Sequence, residues 1–480
     1  MIDLLKLNMY KENNRIEAKK ALGGLPKSIW ETYSSFANTL GGIILLGVIE
    51  EKDKSLHPIN LPDPEKLVRE FWEIVNDPQR TSVNILAEHH VMIEEVEGKR
   101  IIVINVPRAQ RYDKPVFLDG NLYNTYRRTG EGDYRCSKEE VSSMIRDASV
   151  KTQDMMVLNR MSMDVFERET IRRYRDRMEK LRPGHVWEKL DDVEFLYRLG
   201  AVGRSSDGKM HPTGAGLLMF GKEKEIIKEY PYYFLDYQEQ MDQDTHFTYR
   251  IISSADDWSG NVYDFYCKVY EKIAQGITLP VKLAQNKKSN STPVHDALRE
   301  ALLNCLANAD YYGRQGLVIV KKRESVTLSN PGGFRMDVEE AKSGGFSDSR
   351  NGAVAKMFNI VDIGESEGGG IPSIYRIWRQ QGWKIPLIIE KFKPERITLS
   401  LAIEKEDPKV VKKTQKTIGM HQQEIVIAYL TDHVSANSSE IAEVLGVSTS
   451  RARAILMKLA DHEIVEFEKD HRRRIYRLKS

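Results

Sequence analysis

Residues Glu12 to Ile49 read ENNRIEAKKALGGLPKSIWETYSSFANTLGGIILLGVI. Arg15 to Ala21 alternate as a strand does, with Ile16 and Ala18 on one face and Glu17 and Lys19 on the other. From Pro26 onward Ile29, Trp30, Tyr33, Phe36, Ala37 and Leu40 recur at helical spacing, which gives one apolar face. Asn38 and the Gly41–Gly42 pair end that helix, because glycine accepts the left-handed backbone that a C-terminal cap requires. Ile43 to Ile49 is a short apolar run with the pattern of a buried strand. The order is strand, helix, glycine pair, strand, with one acid ahead of the first strand and another inside it.

This arrangement resembles the AlbA-type DNA-binding domain of the Schlafen superfamily. The resemblance rests on Glu12, Glu17, Lys19, Phe36-Ala37-Asn38-Thr39, Gly41-Gly42 and Gly47-Val48, then on Tyr123, Tyr126-Arg127-Arg128 and Gly130. It covers about the first third of the chain and implies nucleic-acid contact, to DNA or RNA, through Lys19, Tyr126, Arg127 and Arg128. In some animal members three acids make an RNA-cleaving site, and Glu12, Glu17 and Glu50 occupy the corresponding places. Converging carboxylates can hold a divalent metal that stabilises the attacking and leaving oxygens of a phosphodiester, so Glu12 and Glu17 are candidate metal ligands. The plainer alternative is that all three are solvated surface acids and Lys19 is a phosphate contact.

A length of 480 residues implies several domains, at roughly 100–200 residues each. With 41% hydrophobic and 30% charged residues the composition is that of an ordinary globular chain. A formal charge of +2 excludes a globally basic architecture and confines any nucleic-acid surface to a local patch. Cys136, Cys267 and Cys305 stand far apart, so neither a disulfide framework nor a Cys-rich zinc site is expected, and the cysteines of the animal Schlafen zinc site are missing. The opening MIDLLKLNMYKENN is too polar for a signal peptide, and no apolar run approaches the ~20 residues of a membrane span. A cytoplasmic protein without membrane contact is expected.

The expected organisation is α+β and multidomain. Residues 1–150 form the AlbA-type α/β domain, with a second helix from Pro64 to Ile74 and a hairpin of Val91–Glu95 and Arg100–Val106 around Glu97-Gly98. The mixed aromatic and basic run Asn121 to Gly130 suits phosphate contact and base stacking, or else an amphipathic edge strand. Residues 151–290 read as a helical connector, in which Asp191–Gly200 and MHPTGAGLLMFG (210–221) resemble a degenerate winged helix or a plain structural joint.

Residues 291–403 hold a second motif. On the helix from His295 to Tyr311, Glu300, Asn304 and Asn308 lie four apart and project together. Glu-x-x-x-Asn, the loop Ser329-Asn330-Pro331-Gly332-Gly333 and the run GESEGGGI (364–371) resemble, in that order, the boxes of GHKL-type ATP-binding domains, an α/β sandwich. The resemblance implies ATP as ligand, with Asn304 on a nucleotide-bound Mg²⁺, Glu300 on a water, and Asn308, Asn330, Gly332, Gly368, Gly369 and Gly370 around the nucleotide. Backbone N–H groups of a glycine run that opens a helix can cradle phosphates. The departures are Asn330 for the adenine-contacting Asp, Phe334 for a glycine, Asn308-Ala309 for His-Arg, and acidic Glu365 and Glu367 in the run. A domain that keeps the fold without the ligand is the alternative.

Residues 404–420 are a Lys-rich linker, and residues 421–480 read as a winged helix-turn-helix. Helices are expected over Glu424–Tyr429 and Ser438–Leu445, with a turn at Gly446 and a third helix capped by Ser448. That third helix buries Ala452, Ile455, Leu456 and Leu459 and turns Arg451, Arg453 and Lys458 outward, and Arg472, Arg473 and Arg474 lie in the wing. A recognition helix in the major groove and a basic wing on phosphates would use these residues. The expected function is a nucleic-acid-binding transcriptional regulator, assembled as a homodimer, that senses an adenine nucleotide. The alternatives are a metal-dependent nuclease and a non-enzymatic dimerisation scaffold.

Overall fold

The computed structural model describes residues 3–241, 247–275, 292–344, 348–363, 369–405, 426, 430, 435–444, 449–461, 465–470 and 473–479. The fold is α+β and multidomain, in two compact units: Met1–Gln381 with Ile385–Ile403, and Gly382–Lys384 with Glu404–Ser480.

The first sheet of the larger unit runs Ile16–Lys19, Gly42–Leu46, Lys99–Val106, Val91–Val96. Ile16–Lys19 and Gly42–Leu46 are parallel, with Ile16 opposite Ile43 and Lys19 opposite Leu46. Parallel neighbours need a crossover, and the Ile29–Asn38 helix supplies it, buried at every residue except Glu31. The helix stops as the glycines require. Gly41 has φ +73° and donates its N–H to the Phe36 carbonyl at 2.8 Å, and a Cβ there would lie 2.8 Å from the Val106 carbonyl oxygen.

The strand expected over Ile43–Ile49 is broken in two. Gly47 has φ +82°, so Gly42–Leu46 stays in the sheet while Val48–Glu50 turns away to pair with Leu56–Pro58. The hairpin Val91–Val96/Lys99–Val106 turns at Glu97 and Gly98, and the Pro64–Val75 helix carries its proline in the first turn.

A six-stranded sheet forms the second half of this unit, in the order Tyr249–Ile252, Leu235–Gln240, Leu317–Lys322, Ser325–Pro331, Glu395–Ala402, Leu387–Phe392. Leu235–Gln240 lies parallel to Leu317–Lys322, so the sheet begins at residue 235, not after the boundary read at 290. The first strand, LDYQEQ, buries its three leading residues on both faces and leaves the next three half exposed. It therefore has no period-2 signature to read. The Pro293–Ala307 helix packs on this sheet at Ser325–Pro331, and helices Val262–Ala274 and Gly370–Gln380 pack against that helix.

The smaller unit packs helices Ser438–Val444 and Thr449–Asp461 with a three-stranded sheet ordered Ala436–Asn437, Arg473–Leu478, Val465–Asp470. Ala452, Ile455, Leu456 and Leu459 form its core with Ile441, Val465 and Tyr476. Gly446, Ser448, the first helix apart from Val426, and the linker beyond Lys405 lie outside the described residues.

Candidate functional site

Two sets of polar side chains in the larger unit concern function. The first lies around the Ile16–Lys19 strand. Glu12 turns back on it, accepting the Ala18 N–H at 3.0 Å through Oε1. Burial, then the charges of Glu17 and Glu50, hold the Glu12 carboxyl above the usual carboxylate range, so the three acids are near neighbours.

Their oxygens are largely engaged within the protein. Glu17 binds Lys19 through Oε1 at 2.8 Å and Arg128 through Oε2 at 2.7 Å. Glu50 pairs through Oε2 with Lys54 at 3.0 Å, while its Oε1 is buried without a partner. Among the described residues no group of three His, Cys, Asp or Glu side chains is arranged to hold a metal ion. Of the two expected metal ligands, Glu17 has both oxygens held by cations of the protein itself, Lys19 and Arg128.

Tyr126, Arg127 and Arg128 also sit differently from the expected patch. Arg128 is 1% exposed and bonds Glu17, Asp133 at 3.0 Å, and the carbonyls of Asn13 and Ile16. Asp133 in turn accepts from Thr32 Oγ1 at 2.7 Å and from Ser35 on the crossover helix. Arg127 is 8% exposed between Glu395 at 3.1 Å and Glu140 at 3.6 Å. The buried Tyr126 donates its hydroxyl to Glu31 at 3.2 Å. Both faces of the Asn121–Thr129 strand are covered here, by the Ile29–Asn38 helix and by the Lys138–Ala148 helix, so Thr125 to Arg128 are all buried. Lys11, Arg15, Lys20 and Lys27, around the Ile16–Lys19 strand, are exposed, and none pairs with a carboxylate among the described residues.

The second set lines a cavity of about 160 Å³ in the six-stranded domain. Glu300, Asn304 and Asn308 line it from the Pro293–Ala307 helix and its C-cap, as their spacing requires. Asn304 donates Nδ2 to Glu300 Oε1 at 3.0 Å, which leaves its amide oxygen as the acceptor. Gly370 lines the same wall, where a Cβ would stand 3.0 Å from Glu300 Oε1. Asn330 lines the cavity, only 4% exposed, with Nδ2 directed to the Asn308 and Pro331 carbonyls at 3.4 and 3.3 Å. Leu328, Ile388, Ile397 and Leu399 give the apolar wall. Asn308 is more structural than expected, donating to the Asn304 carbonyl at 3.0 Å and accepting the Arg350 N–H at 3.3 Å.

Gly332 serves a different purpose from the expected one. A Cβ at its φ of +93° would fall 1.6 Å from Arg350 Nη1, so the glycine makes room for that arginine. Gly369 immediately precedes the Gly370–Gln380 helix, and Gly368, Glu365 and Glu367 lie outside the described residues.

Sequence reading missed Arg335, which carries no motif. It lines the cavity, held by the Ser349 carbonyl at 3.0 Å and the Asp147 carbonyl at 3.2 Å, with Nε buried and unpartnered. The cavity thus has an oxygen-rich end at Glu300 and Asn304, fit for a hard divalent cation, and an apolar slot ending in an amide and a guanidinium.

In the smaller unit Arg453 is exposed, whereas Arg474 lies over the Phe467 ring at 4.6 Å and donates to Met457 Sδ at 3.0 Å. The side chains of Arg451, Lys458 and Arg473, and all of Arg472, lie outside the description.

Residues 12–137 match the family described as "Schlafen, AlbA_2", and residues 319–399 match "Putative ATP-dependent DNA helicase recG C-terminal". Residues 142–236 match a domain of unknown function (DUF8451). Among solved structures the chain is similar to the DIP2311 protein from Corynebacterium diphtheriae, 16% identical over 97% of this chain and 92% of that one, with a TM-score of 0.42. It is also similar to the N-terminal domain of a "Putative ATP-dependent DNA Helicase RecG-related Protein" from Nitrosomonas europaea. That domain is 33% identical over 28% of this chain and 95% of its own length, with a TM-score of 0.22. No curated protein matches the chain. No helix among the described residues is long and apolar enough to cross a membrane.

Proposed function

For a chain that belongs to the Schlafen AlbA_2 family through residues 12–137 and carries a RecG-type C-terminal domain over residues 319–399, we propose a cytoplasmic, nucleic-acid-binding regulator that senses a nucleotide. The two domains point together to a nucleic-acid-related role. The ligand of the second is an adenine nucleotide with Mg²⁺. The observation that carries this reading is the joint placement of Glu300, Asn304, Gly370 and Asn330 around one cavity with an apolar wall. When bound, Mg²⁺ would supply charge neutralisation to phosphates. Asn304 and Glu300 are the residues to hold it, since amide and carboxylate oxygens suit that ion.

In the AlbA-type domain the nucleic-acid contacts pass to Lys11, Arg15, Lys20 and Lys27, whose charges face solvent, with Lys19 tied to Glu17. The Thr449–Asp461 helix of the smaller unit, with Arg453 exposed, is the second contact, used as the recognition helix of a winged helix on duplex DNA. A homodimer would present two such helices to a two-fold site.

The purified chain, titrated into labelled DNA and RNA with and without Mg²⁺, tests this reading. Salt-dependent binding with intact substrate is expected. Metal-dependent cleavage would support the nuclease alternative, and no binding to either polymer would end the proposal.

A further inference from the structure

The AlbA-type and six-stranded domains meet through paired charges, and one residue of a groove in the first bonds the rim of the cavity in the second. Arg108, two residues past the Lys99–Val106 strand, lines a groove with Tyr10, Arg15, Gly41, Gly42 and His90. Its backbone is fixed there. Ala109 donates to the Ala37 carbonyl at 2.8 Å, and Gly41 leaves no room for a Cβ beside the Arg108 amide.

Its guanidinium reaches the other way. Nη1 and Nη2 bind Glu390 at 2.6 and 2.9 Å, and Nη2 also donates to the Phe334 carbonyl at 2.5 Å. The Phe334 N–H donates to Glu390 Oε1 at 2.7 Å, which closes a ring of three residues. Phe334 lines the cavity of Glu300 and Asn304. Gly333, beside it, fits between Glu390 and Glu395, where a Cβ would stand 2.8 and 2.6 Å from their carboxylate oxygens. Glu395 is held by Arg127 of the AlbA-type domain. Arg108 and Glu390 side chains are 8% and 3% exposed, so the pair is closed to water.

We propose that Arg108 is a positioning residue of the nucleotide cavity and couples it to the Arg15 groove, so that nucleotide strengthens polyanion binding in the groove. This rests on the nucleotide and nucleic-acid readings above. The rim at Phe334 is tied on both its N–H and its carbonyl to one ion pair. A ligand that shifts Phe334 breaks both bonds together and weakens the hold of Glu390 on Arg108. A buried guanidinium that loses its acceptor must find another. A phosphate drawn into the adjoining groove by Arg15 would be that acceptor, on the groove that Arg108 itself lines. By linkage the effect is reciprocal, and polyanion raises nucleotide affinity by the same factor.

The test is anisotropy of a labelled single-stranded oligonucleotide with the full chain, with and without saturating Mg²⁺ and a non-hydrolysable ATP analogue. The nucleotide is expected to tighten binding about 10-fold. Arg108→Gln should bring that ratio to about 1, and Arg108→Lys, which keeps charge without the fork, should restore part of it. Should Arg108→Gln fail to fold, exposed Arg15→Ala gives the same reading, because the ratio must fall when the groove loses its free cation. Unchanged or weaker affinity with nucleotide, or a full ratio in Arg108→Gln, overturns the coupling. A parallel calorimetric titration separates the cases. Nucleotide heat without an effect on the oligonucleotide overturns the coupling alone, and no nucleotide heat removes the cavity reading with it.

Discussion

Arg128 Nη2 lies 2.7 Å from Glu17 Oε2 in the interior of the AlbA-type domain, with the guanidinium side chain 1% exposed. The contact joins the Asn121–Thr129 strand to the edge strand Ile16–Lys19, and Asp133 on Arg128 extends it to the crossover helix. A residue read as a ligand contact is part of the frame. Arg128→Ala should therefore destabilise the larger unit by about 3–5 kcal/mol, the cost of leaving Glu17 and Asp133 without their buried cation. Urea denaturation measures it. An exposed phosphate contact would leave the midpoint unchanged.

Arg15→Glu and Lys20→Glu should do the opposite, with unaltered denaturation and weaker nucleic-acid binding. Each lost phosphate contact should lower the slope of log K against log salt by about 1. Titrations at several salt concentrations check this, and unchanged slopes would move the contact surface elsewhere.

Lys114 gives a pH dependence. Its half-buried side chain lies at the junction of the AlbA-type and six-stranded domains, and burial, then the charges of Arg108 and Arg127, push its amine down to about 7. An unfolded lysine titrates near 10.4. Between those values the unfolded chain carries a proton that the folded one lacks, so stability rises with pH from about 7 towards 10, at up to about 1.4 kcal/mol per unit. Lys114→Met should flatten that rise and stabilise the protein at neutral pH. Urea midpoints of both proteins at pH 7 and 9 give the comparison.

The strand, helix, glycine and strand order was legible because each element declares itself locally, by alternation, helical spacing or a positive φ. Glu300, Asn304 and Gly370 were legible for a related reason. Helical spacing alone brings the first two together, and a glycine beside them is the residue that fits. The fate of Arg127 and Arg128 was not legible, since their partners Glu395 and Glu17 lie 268 and 111 residues away and leave no local trace. Asn38 shows the same limit. It reads as a helix stop, yet its fully buried amide holds Val116 N and O at 2.9 and 2.8 Å and the Tyr126 carbonyl at 3.2 Å. The strand at Leu235–Gln240 was hidden because its burial changes along its length and not from face to face.

The central claim is that the cavity of Glu300 and Asn304 takes a magnesium-bound adenine nucleotide. Isothermal calorimetry of the full chain with ATP, in Mg²⁺ and then in EDTA, tests it most directly, with Asn304→Ala as the paired variant. One saturable site, lost in EDTA and lost in Asn304→Ala while the melting temperature of the unliganded variant is kept, is the result expected. A folded wild-type chain that gives no heat with ATP, or an Asn304→Ala chain that binds it unchanged, would contradict the account.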